Sequence, residues 1–130
     1  MRSAEDVSTT CLGLRGAITA DANTREAILD ATEELLRQLV TANGLAEEDI
    51  AAVFFTTTRD LTAEFPSVAA RTRLRWEHTA LLNSHEIDVP DGACSVIRVL
   101  LMVNTEKRKS ELVHVYLKGA RDLRARGTMA

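Results

Sequence analysis

Two arginines stand inside apolar segments of this chain, where a guanidinium group needs a partner. Arg98 interrupts the longest apolar run, residues 95–103, and Arg15 lies between Gly13 and Gly16 in a shorter run. A charge buried without a partner is costly, and arginine pairs well with carboxylates because its N–H donors form a planar fork. Each arginine therefore predicts a carboxylate close by, supplied either by the protein or by a bound ligand.

Three further residues could complete a site for a small dianion. Arg71 falls on a short predicted helix, and Glu86 and Tyr116 lie in or beside predicted strands. Two arginines could hold two carboxylates, a phenol adds a neutral donor, and a glutamate could accept from a ligand hydroxyl. Pairing within the protein, such as Glu86 with Arg98, is the alternative, because buried ions usually pair internally. The residues alone leave both interpretations open.

The sequence indicates neither metal chemistry nor a nucleophile. His85-Glu86 does not belong to an H-E-x-x-H motif, and His78 and His114 have no spacing typical of metal ligands. No Ser-His-Asp or Cys-His arrangement stands out, and no glycine-rich loop opens a helix. We therefore expect no metal and no cofactor. The remaining chemistry is binding, or a reaction driven by positioning and electrostatics.

The hydrophobic pattern predicts an α+β fold with a mixed sheet and helices on one face. Because the run at 95–103 is apolar on both faces, the face without helices should be buried in an oligomer. Five strands are predicted, at residues 11–18, 50–57, 78–83, 95–103 and 112–117.

Two helices are predicted between these strands. The longer one begins at a capping box formed by Asn23 and Glu26 and ends at Asn43-Gly44. The shorter one begins near Pro66. The longer helix should bury one stripe of side chains, namely Ile28, Thr32, Leu35, Leu36 and Leu39.

Composition indicates a single folded domain. Apolar residues make up 45% of the 130 residues, charged residues 27%, and the net charge is −3, which argues against a broad nucleic-acid surface. We expect a leader at 1–10, one domain at 11–117 and a partly ordered tail at 118–130. No apolar segment suits a membrane span or a signal peptide, so the expected location is the cytoplasm. Cys11 and Cys94 lack metal-like spacing and are expected to be buried small residues.

Five short motifs together resemble those of the AroH-type chorismate mutases. In order, they are Gly13-Leu14-Arg15-Gly16-Ala17, Phe65-Pro66 with Arg71, Glu86-Ile87-Asp88, Ile97-Arg98-Val99 and His114-Val115-Tyr116-Leu117. Members of this family rearrange chorismate to prephenate on the way to phenylalanine and tyrosine, without cofactor or metal. They are homotrimers whose sheets form a pseudo-α/β barrel, with active sites between subunits. The resemblance implies the same fold, assembly and reaction here.

The resemblance also implies a role for each motif residue. Arg98 would lie near the breaking ether oxygen of the substrate, and Glu86 would accept from its ring hydroxyl. Arg15 and Tyr116 would hold its side-chain carboxylate. The implied substrate-binding residues of the cleft wall and tail are Phe65, Arg71, Leu82, Asn83, Leu123 and Arg124.

Two positions depart from the family pattern. Asn83 replaces a cysteine that contacts the hydroxyl, and an amide could serve in its place. Val68 replaces a lysine at the entrance, whose loss would weaken steering of a dianion.

Two other functions stay open beside the mutase reaction. They are a trimeric imine deaminase of similar architecture, which would need a positioned water, and a non-catalytic trimer that senses a metabolite.

Overall fold

Five strands form one mixed sheet in the computed structural model, which describes residues 8–123. The predicted α+β class is confirmed. No helix in this described part has the length and apolar character needed to cross a membrane. The strands are β1 (Thr10–Thr19), β2 (Ile50–Thr57), β3 (Ala80–His85), β4 (Val96–Thr105) and β5 (Val115–Tyr116). The helices are α1 (Arg25–Asn43) and α2 (Ser67–Thr72), with short 3-10 helices at Glu47–Asp49, Lys109–Glu111 and Lys118–Ala120.

Strand β4, which carries Arg98, lies at the centre of the sheet. The strand order is β3-β2-β4-β1-β5. β4 is antiparallel to β1 and β2, whereas β3 runs parallel to β2 and β5 runs parallel to β1. In this register Arg98 lies opposite Ala17 of β1 and Thr56 of β2. The arginine that was predicted to need a partner thus projects from the middle of the sheet.

Helix α1 covers one face of the sheet, and its predicted stripe is buried at all five positions. Leu35 and Leu39 belong to the same core as Phe55 of β2 and Val99 of β4. Full burial of such side chains stabilises the fold by roughly 1.5–3 kcal/mol each. The one polar member, Thr32, donates its hydroxyl hydrogen bond to a backbone carbonyl one turn earlier, at 2.7 Å. Its burial therefore leaves no hydrogen-bonding group unsatisfied.

The predicted capping box at Asn23 is wrong by one residue. Thr24 is the N-cap, and its hydroxyl accepts from the backbone N–H of Ala27 at 3.1 Å. The Asn23 carbonyl oxygen accepts instead from the N–H groups of Thr62 and Ala63, at 2.9 and 3.0 Å. Two tertiary hydrogen bonds thus replace the single one that capping offers, and they tie the start of α1 to the segment before α2.

The helix ends as predicted at Asn43-Gly44, and Asn43 also shortens the last strand. Gly44 adopts the left-handed conformation, with φ 62°, that commonly ends a helix. The buried side chain of Asn43 donates to the carbonyl of Val113 and accepts from its N–H, at 2.9 and 2.8 Å. The amide thereby occupies backbone groups that a longer strand would use. The strand predicted at 112–117 accordingly shrinks to Val115–Tyr116.

The third strand is displaced from its predicted position. It was predicted at 78–83 and is observed at Ala80–His85. The carboxylate of Glu47 accepts from the backbone N–H of His78 at 2.8 Å and from the hydroxyl of Thr79 at 3.2 Å. These bonds hold the first two predicted residues against the 3-10 helix before β2, so the strand begins later.

The expectation that both cysteines are buried is wrong. Cys11 and Cys94 are both exposed. Cys11 lies near the start of β1, opposite Asn104 at the end of β4, and Cys94 lies in the loop before β4. The lack of metal-like spacing and an expected reducing compartment suggested small buried residues, but both side chains face solvent.

The opposite side of the sheet, which we call the open face, is not covered by any helix among residues 8–123. Its side chains alternate with those of the core along each strand and include Arg98 and Leu100 of β4. The large apolar side chains Phe54, Leu82 and Leu100 are 40%, 60% and 38% exposed there. An apolar patch of this kind on a sheet is typical of a surface that another molecule covers.

The imidazole of His114 helps to hold the two-residue strand β5 against β1. Two residue pairs join these strands, and one further backbone bond runs from Leu117 N to Ala17 O at 2.9 Å. His114 Nδ1 accepts from the backbone N–H of Arg15 at 3.0 Å. Burial, and then the positive charge of Arg15, lower the pKa of His114 below its ordinary value.

This pKa shift predicts a loss of stability in mild acid. Below about pH 6.5 the unfolded chain binds a proton at His114 that the folded chain still excludes, so the free energy of unfolding falls with pH. The fall ends once the pH passes below the lowered folded-state pKa. Urea denaturation at about pH 7.5 and about pH 5 should show a larger decrease for the wild type than for His114→Asn, which cannot titrate there. Equal decreases would contradict the prediction.

Candidate functional site

An ion pair between Arg98 and Glu86 lies at the centre of the site. Arg98 Nη1 donates to Glu86 Oε2 at 2.9 Å, and the two side chains are 24% and 19% exposed. Glu86 directly follows β3, and its backbone N–H donates to the carbonyl of Thr57 at 2.8 Å. The internal pairing considered from the sequence is therefore present. The pair is also open to solvent, so a ligand can reach it.

Thr56 is a site residue that the sequence analysis missed. Its hydroxyl donates to the same Glu86 oxygen, Oε2, that Arg98 contacts. Because both bonds go to one oxygen, neither of them engages Oε1. Thr56 lies opposite Arg98 in the β2–β4 pairing, and alternation along β2 places it on the open face with Phe54. The signal was this alternation, which is informative only once the strand register is known.

Arg15 and Tyr116 form the other side of the site. They lie on β1 and β5, where Ala17 pairs with Tyr116. Arg15 Nη1 and the Tyr116 hydroxyl are 3.5 Å apart, at the long limit for a hydrogen bond. A guanidinium carries five N–H donors, so this single weak contact leaves most of the donors of Arg15 for another acceptor.

One cavity unites the four residues predicted to carry the chemistry. Its volume is about 370 Å³, and it opens on the open face. Two guanidinium groups and one carboxylate give it a net positive charge, which suits an anionic ligand. The lining residues are Arg15, Gly16, Phe54, Thr56, Glu86, Arg98, Val99, Leu100 and Tyr116.

The residues predicted to form the cleft wall lie outside this cavity in the structure. Phe65, which is 64% exposed, and Asn83 line a second cavity of about 360 Å³, formed where β2 and β3 end. The Asn83 amide is bound to Ser67, from whose N–H it accepts at 3.1 Å and to whose hydroxyl it donates at 2.9 Å. Arg71 is exposed on α2, and Leu82 lies on the open face opposite Phe54. Within one chain the structure does not bring these residues to the Arg98 cavity.

The two predicted tail residues differ in what the structure describes. Leu123 is buried in a small cluster with Ala17, Val96 and Ala120, against which Tyr116 packs. The tail therefore runs close to the cavity at this point. Arg124 lies outside the described residues.

A clamp next to the site fixes the start of β4. The carboxylate of Asp60 accepts from the backbone N–H of Ser95 at 2.8 Å and from the Thr58 hydroxyl. Ser95 has φ 57°, a conformation that non-glycine residues rarely adopt, and this clamp holds it there. Burial raises the pKa of Asp60, but the bonds from Thr58 and Ser95 outweigh it, so the pKa lies below its ordinary value. A cavity of about 510 Å³ connects this clamp with Glu86 and Arg98.

Nothing in residues 8–123 groups three or more His, Cys, Asp or Glu side chains around a common metal position. What the arrangement offers instead is a fixed cation, an acceptor and a second cationic fork around one small cavity. These groups can bind an anion and stabilise charge that develops on it.

Comparisons with known proteins identify the family. The family model described as chorismate mutase type I matches residues 11–126. The chorismate mutase AroH of Thermus thermophilus is 46% identical over 113 residues, which cover 86% of this chain and 92% of that protein. The protein of the same name from Bacillus subtilis (strain 168) is 35% identical over 106 residues, covering 82% and 84%. A solved chorismate mutase structure from Clostridium thermocellum has a TM-score of 0.83 and 45% identity, covering 85% of this chain and 97% of its own. This chain belongs to the chorismate mutase type I family.

Proposed function

We propose that this chain rearranges chorismate to prephenate in the cavity formed by Arg15, Glu86, Arg98 and Tyr116. The observation that carries the proposal is that these four side chains, from four different parts of the sequence, line one cavity. The family match favours this mutase reaction over the imine deaminase and the metabolite sensor. The reaction is a step in the biosynthesis of phenylalanine and tyrosine. The cytoplasmic location stays a prediction.

Arg98 is the residue to which we assign the electrostatic work. In this rearrangement the carbon–oxygen bond breaks ahead of carbon–carbon bond formation, so negative charge grows on the ether oxygen. A cation already fixed beside that oxygen binds the transition state more tightly than the substrate. The bond to Glu86, at 2.9 Å, holds the guanidinium in place before the substrate binds. Little reorganisation is then needed during the reaction.

The other three residues would bind and orient the substrate. A carboxylate oxygen could accept from both Arg15 and Tyr116, whose Nη1 and hydroxyl are too far apart to satisfy each other well. Glu86 Oε1, which is not the oxygen that accepts from Arg98 Nη1 and the Thr56 hydroxyl, could accept from the ring hydroxyl. Holding the substrate at both ends favours its reactive folded form over the extended forms that dominate in water.

A homotrimer with sites between subunits is the assembly that we propose. Phe54 and Leu100 line the cavity, and Leu82 lies opposite Phe54 in the β2–β3 pairing. All three are exposed on the open face, and a second copy would bury them. The wall residues Phe65 and Asn83 lie at a separate cavity of the same chain. In the proposed assembly they complete the Arg98 cavity of a neighbouring subunit.

Replacing Arg98 tests the electrostatic role. Arg98→Lys keeps a positive charge but loses the planar fork, so kcat should fall by about 10²-fold or more. Loss of chorismate absorbance measures the rate, and sedimentation shows whether the assembly persists. Arg75→Lys, at an exposed position before Trp76, is the matched control and should leave kcat unchanged. An unchanged kcat in Arg98→Lys would mean that another group stabilises the transition state.

Mixing two inactive variants tests whether a site is shared between subunits. Arg98→Ala removes the cation, and Phe65→Asp places a negative charge on the wall that repels a dianion, so each variant alone should be nearly inactive. In trimers formed by joint refolding at equal amounts, about one quarter of the sites should combine two intact halves and regain activity.

A matched pair provides the control for this experiment. Arg98 and Glu86 line the same cavity of one chain. In a mixture of Arg98→Ala with Glu86→Ala every such cavity therefore lacks one of the two groups, and no activity should return. Failure of the Arg98→Ala and Phe65→Asp mixture to regain activity would contradict sites shared between subunits.

A further inference from the structure

His114 makes a hydrogen bond that has no role so far in the proposed reaction. It lies one residue before β5 and two residues before Tyr116. Its Nδ1 accepts from the backbone N–H of Arg15 at 3.0 Å, so a side chain pairs with the edge of β1 where β5 has not yet begun. An acceptor Nδ1 carries no proton, which places the imidazole proton on Nε2.

This contact joins the backbones that carry both carboxylate-binding groups. β5 has only two residue pairs with β1, so few bonds set its position. The His114 bond adds a link at Arg15 itself, and Tyr116 follows on the same short segment. The Arg15 guanidinium and the Tyr116 hydroxyl then meet 3.5 Å apart. A shift of β5 along β1 would change this separation directly.

We propose that His114 is a positioning residue for the mutase reaction, and that its bond to the Arg15 backbone sets the spacing between Arg15 and Tyr116. Those two groups grip the side-chain carboxylate of the substrate. The inference rests on the proposed function, because it assigns that grip to the same cavity. Arg98 lies on β4 and Glu86 directly follows β3, away from β1 and β5, so loss of the bond should weaken substrate binding more than it slows the chemical step.

The experiment compares three replacements that differ in the acceptor. His114→Leu fills similar space and has no acceptor. His114→Asn places its carbonyl oxygen near the position of Nδ1, and His114→Gln places the same oxygen one carbon farther out. His78→Leu is the matched control, since His78 is exposed and lies in the loop before β3.

We expect His114→Leu to raise KM for chorismate by about 5- to 10-fold while kcat changes by less than about 3-fold, as expected for one lost hydrogen bond that orients a binding group. His114→Asn should restore KM to within about twofold of the wild type, and His78→Leu should change neither parameter. A role in folding alone would lower the fraction of active enzyme, and so the apparent kcat, without changing KM. That result would overturn the proposal.

An inactive wild type and a variant that does not fold can each be distinguished from failure of the proposal. If the wild type shows no turnover, the proposed function fails before His114 is tested. If His114→Leu does not fold, the Asn and Gln variants decide the matter, because they differ only in the reach of the same group. A higher KM in His114→Gln than in His114→Asn supports the proposal, and an equal KM in these two variants overturns it.

Discussion

The ion pair between Arg98 and Glu86 is the interaction on which the site depends. A guanidinium in the centre of a sheet needs a carboxylate, and removing one partner from such a pair leaves the other charge poorly compensated. Glu86 reaches Arg98 at 2.9 Å while the Thr56 hydroxyl binds the same oxygen. The cation is thereby held in one place without a ligand. A fixed cation can stabilise developing charge at little cost in reorganisation.

The fold supplies the rigidity that this pair requires. Arg98 is on the central strand, bonded on both sides, and the core packs behind it through Val99 and Ile97. Close-packed cores resist displacement, so side chains on the other face of the same strand inherit a defined position. The loop before β4 adds a second constraint, because Asp60 holds Ser95 in its left-handed conformation. The position of Tyr116 on β5 depends on fewer bonds, because two residue pairs join β5 to β1, and the bond from the Arg15 backbone to His114 adds to them.

Periodicity and local chemistry predicted much of this molecule. The apolar run around Arg98 predicted the central strand, and the stripe on α1 predicted the covered face, because both patterns reflect burial on one element. The pairing of Arg98 with Glu86 was one of two interpretations that the residues left open, because a buried charge needs a partner from either the protein or a ligand. Arg15, Glu86, Arg98 and Tyr116 were singled out by residue type and position together with Arg71, and the resemblance to the family then assigned each residue its role.

Features that depend on tertiary contacts could not be predicted in the same way. Thr24 caps α1 because Asn23 is engaged by the distant 61–66 segment, and β5 is short because the Asn43 side chain occupies the backbone of Val113. The support that Thr56 gives to Glu86 requires the register between β2 and β4, which no local pattern specifies.

A crystal structure with a bicyclic transition-state analogue tests most directly whether Arg98 stabilises the charge on the ether oxygen. We expect an Arg98 nitrogen about 3 Å from the ether oxygen of the analogue. An ether oxygen facing any other group, with Arg98 bound only within the protein, would contradict it.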